Sequence, residues 1–263
     1  MMFETRSLRA RLFLQFGVTI AAVPFLIPIY TMVSRSFAGG GWGNYAAVIG
    51  VPGFLQFFLN SAIVAGGSII LIYLATMTAA FGFSKLRVWR KEVLFWMMMV
   101  ALTLPEIVLI APLYATAVQL GLLGTFWSVI LPIAALQIPF TVLITRGYVD
   151  GIPDTLFEAA RLDGAGTFRV FWSILVPLSR SMAVALIVLV LINAWNSYLL
   201  PKVFLSSDDM GVVTLLPDFF RRQYNDDIPK ILAAAVVTAI PTIVTYVALQ
   251  KHFERGMAAG AIR

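Results

Sequence analysis

Cysteine is absent from the 263 residues, and histidine occurs once, at His252. A disulfide framework and a thiolate metal site are therefore impossible, and one imidazole cannot build the usual zinc sites. No G-x-x-x-x-G-K-[ST] stretch occurs, so the chain lacks the loop that cradles ATP phosphates. The glycine-rich run at Gly39–Gly43 has no lysine to complete a phosphate site and reads as a flexible loop. Charge is scarce as well: 12% of residues are charged, against about a quarter in soluble domains. With 60% hydrophobic residues, the composition is that of a membrane protein, with no catalytic residues and no metal ligands expected.

What is abundant is long apolar sequence. A spanning helix needs about 20 mostly apolar residues. Six stretches qualify, at roughly 12–33, 58–83, 93–117, 126–145, 182–200 and 231–250. The expected fold is therefore all-α, a single polytopic transmembrane domain over residues 1–263. The first stretch follows Arg6, Arg9 and Arg11 as a signal peptide would, but it is long and no small-residue cleavage site follows; it reads as a retained helix. Pro24, Pro28, Pro105, Pro112, Pro132, Pro139 and Pro241 fall inside spans, which membrane helices tolerate when neighbours satisfy the freed backbone.

Lysine and arginine counts set the orientation. With the N-terminus inside, one side carries 3 in the N-terminal segment, 4 at 85–91, 4 from Arg146 to Arg180 and 3 in the tail, 14 in all. The other side carries Arg35, Lys202, Arg221, Arg222 and Lys230, which is 5. Both termini and the 147–181 loop are thus expected in the cytoplasm. The net charge of +6 is a topology signal and not a nucleic-acid footprint.

That 147–181 loop holds the most informative string, DTLFEAARLDGAGTFRVFWSILVP from Asp154 to Pro177. Thr155 and Glu158 form a T-x-x-E capping box, and Ala159, Ala160, Arg161 and Leu162 favour helix. Asp163-Gly164 is a stop signal, so the helix has about two turns, too few to be stable alone in water. Either the rest of the chain or a partner protein must hold it. A second segment begins near Thr167 and carries Phe168, Phe171, Trp172, Ile174 and Leu175 toward Pro177.

This string resembles the EAA loop of ATP-binding-cassette importer permeases at Glu158, Ala159, Ala160, Asp163, Gly164, Ala165, Phe171, Ile174 and Pro177. Most of the chain is similar to the carbohydrate-uptake subfamily, in particular its maltose-type second permease subunit. The matching pieces are Asn60-Ser61, Pro112-Leu-Tyr114, Leu120–Trp127, Leu131-Pro132, Gln137–Phe140, Arg146-Gly147, Ile152-Pro153, Ala194–Asn196 and Gln250-Lys251 through Gly256 and Gly260. Two positions depart from the pattern. Ser197 stands where an acidic residue often follows the Trp-Asn pair, and Ser179-Arg180-Ser181 replaces a proline beyond the Leu-Pro.

The resemblance implies a multi-pass bacterial or archaeal inner-membrane subunit that pairs with a second permease and with a dimer of ATPase subunits. A solute-binding protein would deliver sugar from outside. ATP and magnesium would sit on the partner ATPase, leaving this chain without a cofactor. Glu158, Ala159, Ala160, Arg161, Asp163 and Gly164 would couple to that ATPase.

Polar groups inside spans default to functional candidates. Asn193, Trp195, Asn196 and Tyr198 are candidates for a substrate path, with Trp195 as a stacking surface. Alternatively the asparagines join helices, and the aromatics belong to an interfacial belt. Glu106, the one acidic residue inside any span, suits a bond to backbone freed by Pro105, an outer-interface position or proton coupling. An ion-coupled secondary transporter subunit and a non-sugar importer permease remain alternatives. The former should show an internal repeat, and none is convincing between 1–117 and 118–263.

Overall fold

A computed structural model describes residues 8–205, 207–221 and 226–261, which are helices, turns and loops without a strand. Arg6, Arg222 and Arg263 of the charge count lie outside the described residues. Among the described residues, four helices are long and apolar enough to cross a membrane, or up to six if each of two bent pairs makes one span. The chain forms two compact units: one runs to Pro52 and includes Leu216–Thr238, and the other is Gly53–Leu215 with the chain from Ala239 on.

In the first unit, α1 (Leu8–Ser36) has an 18-residue apolar window with 0% of its residues buried. Such a surface needs lipid or protein around it, since nothing in water stabilises it. The glycine run that follows makes a hydrogen-bonded turn into the next helix. Gly39 and Gly41 take positive φ, and the Asn44 amide donates to the carbonyls of Ser36 (2.9 Å) and Ala38 (3.0 Å). Phe37, Trp42 and Tyr45 stack where α2 (Trp42–Ile49) begins.

The second unit is built on α3 (Phe54–Lys85) and α6 (Trp127–Asp150), against which α10 (Arg180–Asn196) packs. Apolar windows of mean hydropathy 2.0 make α3 and α6 membrane helices by composition. What brings them close is the small size of the buried side chains along α3: Ala65, Ser68, Thr76 and Ala80 alternate with Ile72 at helical spacing. The Thr76 and Thr141 hydroxyls meet at 2.7 Å between them. Such a bond adds about 0.6 kcal/mol on average in a membrane.

Pro105 interrupts the third apolar stretch. It separates α4 (Lys91–Ala101) from α5 (Glu106–Gln119), which diverge by 104°. A proline disfavours helix for the residue before it, here Leu104, so the chain turns between Leu102 and Pro105. The fifth stretch starts at a second bend: Thr167–Leu178 meets α10 at 77°, and α10 ends at Asn196 before the short α11 (Leu199–Phe204).

At the end of α3 where Phe54 lies, the segment after α11 is folded down and not merely solvated. Asn60 opens no helix, since α3 begins at Phe54; its amide instead donates to Asp209 O (2.9 Å) and Gly211 O (2.8 Å). Ser61 Oγ accepts from Val213 N–H at 2.9 Å. Gly211 lies on the Phe57 ring, where an added Cβ would stand 2.3 Å from Cε1. Asn60→Ala leaves two carbonyls without their donor, a loss of about 1–3 kcal/mol. Hydrogen exchange over residues 209–215 should accelerate, with thermal stability in detergent lowered, and Gly211→Ala should act similarly by steric displacement.

Candidate functional site

The Asp154–Pro177 string forms α7 (Asp154–Leu162), α8 (Thr167–Val170), a π-helical turn (Phe171–Leu175) and α9 (Val176–Leu178). The expected capping box is not made. Pro153 occupies the N-cap and no side chain caps the helix; Thr155 already lies inside it, so its hydroxyl is misplaced for the role. The stop is as expected. Gly164 has φ +81°, its N–H bonds Arg161 O (3.0 Å), and Ala165 N–H bonds Ala160 O (2.9 Å). That pair of bonds is a Schellman ending, which favours glycine at this position.

Lysine holds the short helix. Lys85, the last residue of α3, has a side chain only 5% exposed, and its ammonium donates to Ile152 O (2.7 Å) and Asp154 Oδ1 (2.6 Å). It also lies 5.1 Å from the centre of the Phe157 ring. Arg161 returns the connection by donating to Lys85 O at 3.2 Å. Phe157 is buried in a cluster with Phe81, Phe171, Val170 and Leu175. Lys85 holds the Asp154 carboxyl below its ordinary pKa by hydrogen bonding and charge. The stabilisation is present above the unfolded value and lost as pH falls through the lowered folded one, so it persists at neutral pH.

A second tie fastens α4 to α6. Arg146 grips both oxygens of Glu92 (2.6 and 3.1 Å) and covers the Phe95 ring at 4.2 Å. Beyond Pro177, Tyr148 Oη donates to Leu178 O at 3.0 Å, satisfying a carbonyl at the 77° bend. The opposite face of α7 is open: Leu156, Glu158 and Leu162 are exposed, Leu162 by 89%. Glu158 makes no side-chain hydrogen bond or ion pair with another described residue. The helix thus presents an apolar and acidic surface on a fixed base.

A cavity of about 790 Å³ opens at the break between α4 and α5, facing α6 and the end of α10. Leu104, Glu106, Gln137, Asn193, Asn196 and Tyr198 contribute to its wall. The Gln137 amide donates to Asn193 Oδ1, and Asn196 Nδ2 to Ile192 O at 2.8 Å. Its volume is in the range of small-molecule sites, roughly 300–1,000 Å³.

A family model described as "Binding-protein-dependent transport system inner membrane component" matches residues 71–259. The chain belongs to that family. It is 30% identical over 214 residues to the lactose transport system permease protein LacG of Rhizobium radiobacter, covering 81% of this chain and 77% of that one. It is 26% identical over 276 residues to the melibiose/raffinose/stachyose import permease protein MelC of Bacillus subtilis, covering 99% and 98%. Its fold is similar to a chain in the crystal structure of a bacterial ABC transporter that imports the acidic polysaccharide alginate. The TM-score is 0.78 at 20% identity, with 95% of this chain and 100% of that chain covered. The permease is thus a multi-pass inner-membrane transport component and not an enzyme.

Within this permease, Glu158, Ala159, Arg161, Asp163 and Gly164 are exposed along α7 and its ending, with Ala160 half-buried beneath. Asn193, Asn196 and Tyr198 share the cavity wall. Trp195 does not: it is 8% exposed and packs 6.2 Å from Phe58, so the stacking surface expected of it is not available. The break in the third span adds Glu106 to the wall, and α6 adds Gln137. Lys85 was legible only as one of 4 basic residues at 85–91. The available signal was Asp154, an acidic residue behind Pro153 on the same expected membrane face.

Lys85→Met should release α7. It removes donors from Ile152 O and Asp154, and the loss of a buried partner costs about 1–3 kcal/mol. Hydrogen exchange in 154–165, measured on the permease in nanodiscs, should rise about tenfold, whereas Asp154→Asn, at a 74% exposed carboxylate, should change it far less. Equal effects of the two substitutions would contradict the assignment of Lys85 as the anchor.

Proposed function

We propose that the chain is one of two permease subunits of an ATP-driven sugar importer and that α7 docks on a separate ATPase subunit. The observation that carries this reading is the division of α7 into two faces. Phe157 is anchored to the transmembrane helices, while Leu156, Glu158 and Leu162 lie open on the other side. A helix of 9 residues is marginal by itself, so force applied to its open face passes to α3 through Lys85 and Phe157 without melting it only because both are fixed.

In this reading both termini are cytoplasmic, in line with the lysine and arginine asymmetry. The ATPase dimer holds ATP and magnesium, and Glu158 meets a basic group on it. Closure of the ATPases rocks the spans between inward-open and outward-open states. A solute-binding protein delivers cargo at the other face, and the polar cavity with Asn193, Asn196 and Tyr198 forms part of its path. The sugar class is supported by the lactose and melibiose permeases among the relatives.

Glu158→Lys should reduce ATP-dependent uptake in membrane vesicles by at least about tenfold, with the permease still present in the membrane. Gly164→Leu should do the same, because a branched side chain at φ +81° strains the Schellman ending. Gentle detergent purification of the wild type should bring down a second permease and an ATP-binding-cassette ATPase. Normal uptake by Glu158→Lys would remove α7 from the docking role.

A further inference from the structure

We infer that Glu106 makes the polar cavity a charge filter that admits neutral, hydroxyl-rich solutes and rejects anionic ones. The inference rests on the reading of that cavity as part of the cargo path. Glu106 stands in the first turn of α5, placed there by the 104° break after Leu102. Glu106 lines the cavity, and its carboxyl group makes no side-chain hydrogen bond or ion pair with any described residue. A neighbour-satisfied structural carboxyl at a proline break would show such a partner. This one is left to the cavity.

The remaining polar inventory points the same way. Among the described residues, no lysine, arginine or histidine contributes to the wall. Asn193 accepts from Gln137 through Oδ1, which leaves its NH₂ to donate. Asn196 spends an amide hydrogen on Ile192 O, which leaves its Oδ1 to accept. The wall therefore offers several acceptors, a few neutral donors and no cation. Sugar hydroxyls donate to the Glu106 carboxyl and to Asn196 Oδ1 and accept from Asn193. A solute carboxylate or phosphate brings further acceptors, meets no positive charge, and faces the acidic group of Glu106 across a cavity of about 790 Å³.

Like charges held about 6 Å apart in a medium of intermediate dielectric repel strongly enough to change affinity at least about tenfold. Selectivity of this kind acts by exclusion, through an unfavourable term aimed at the wrong cargo. It is independent of whatever the binding protein chooses upstream.

The test uses the complete transporter complex in nanodiscs and saturation-transfer NMR, which detects weak binding without the delivery protein. The probes are lactose, melibiose and the same two disaccharides with the galactose C6 oxidised to a carboxylate. Wild type should bind each neutral disaccharide at least about tenfold more tightly than its carboxylate. Glu106→Gln, which keeps shape and hydrogen bonding, should narrow that gap to about twofold by strengthening the acidic probes, and Glu106→Asp should preserve it. Asn193→Ala with Asn196→Ala should weaken neutral and acidic probes together.

An unchanged gap in Glu106→Gln, with both probes weakened in the asparagine variant, overturns the filter and leaves the path standing. Binding indifferent to all of these substitutions, or absent in wild type, overturns the path reading and the filter with it.

Discussion

A buried ammonium is what the α7 half of the second unit depends on. Lys85 cannot be 5% exposed and charged without partners, and the partners it takes, Ile152 O and Asp154, belong to the entry of α7. Satisfying the lysine and positioning the helix are therefore the same event. The apolar contribution is aligned with it, since Phe157 enters the cluster of Phe81 and Phe171 directly beneath. Arg161 closes the circuit by donating to the carbonyl of Lys85. The result is a helix too short to persist in water and held without help from its own N-cap.

Breaks in the apolar stretches follow a comparable economy of polar groups. Within a bilayer an irregular backbone survives only where protein or a hydrated cavity receives its free groups. The turn at Leu102–Pro105 lies beside the polar cavity of the second unit, and the 77° bend after Leu178 is supplied with a donor by Tyr148. The π-helical turn at Phe171–Leu175 leads into that second bend. It turns Phe171 and Leu175 into the core and leaves Trp172 partly exposed. Proline supplies the interruption in the first case, and a hydroxyl on a neighbouring helix serves the second.

Much of this was legible in sequence, and the misses have definite causes. Apolar length placed α1, α3, α6 and α12 (Ile228–Ala261), because lipid-spanning helices are defined by composition over about 20 residues. The stop at Asp163-Gly164 was legible because positive φ singles out glycine. The capping box failed because T-x-x-E states a spacing and not a start; Pro153, favoured at a helix entry, shifted the start two residues earlier. Trp195 failed because sequence gives no azimuth for a residue on a helix apolar all round, and Asn193 and Asn196 faced the cavity where Trp195 faced Phe58. Lys85 was invisible as an anchor because its three partners at 152, 154 and 161 are 67 to 76 residues away.

The same helix carries both ends of the second unit, and that fixes what kind of motion the fold permits. Near Phe54, Asn60 and Ser61 hold the 209–213 segment; at Lys85, the lysine and Phe81 hold α7. Between Ser61 and Lys85 lie about 36 Å of helix at 1.5 Å per residue, packed along α6 on small side chains with a threonine pair near the middle. Close packing of this sort resists bending and tolerates sliding or rotation as a rigid body. A displacement of α7 is consequently resisted by α3 along its length and not absorbed at one residue. The places with irregular backbone are elsewhere, at the α4–α5 break beside the cavity and at the bend before α10, so changes of shape are concentrated where α4, α5 and α10 meet the α3–α6 pair.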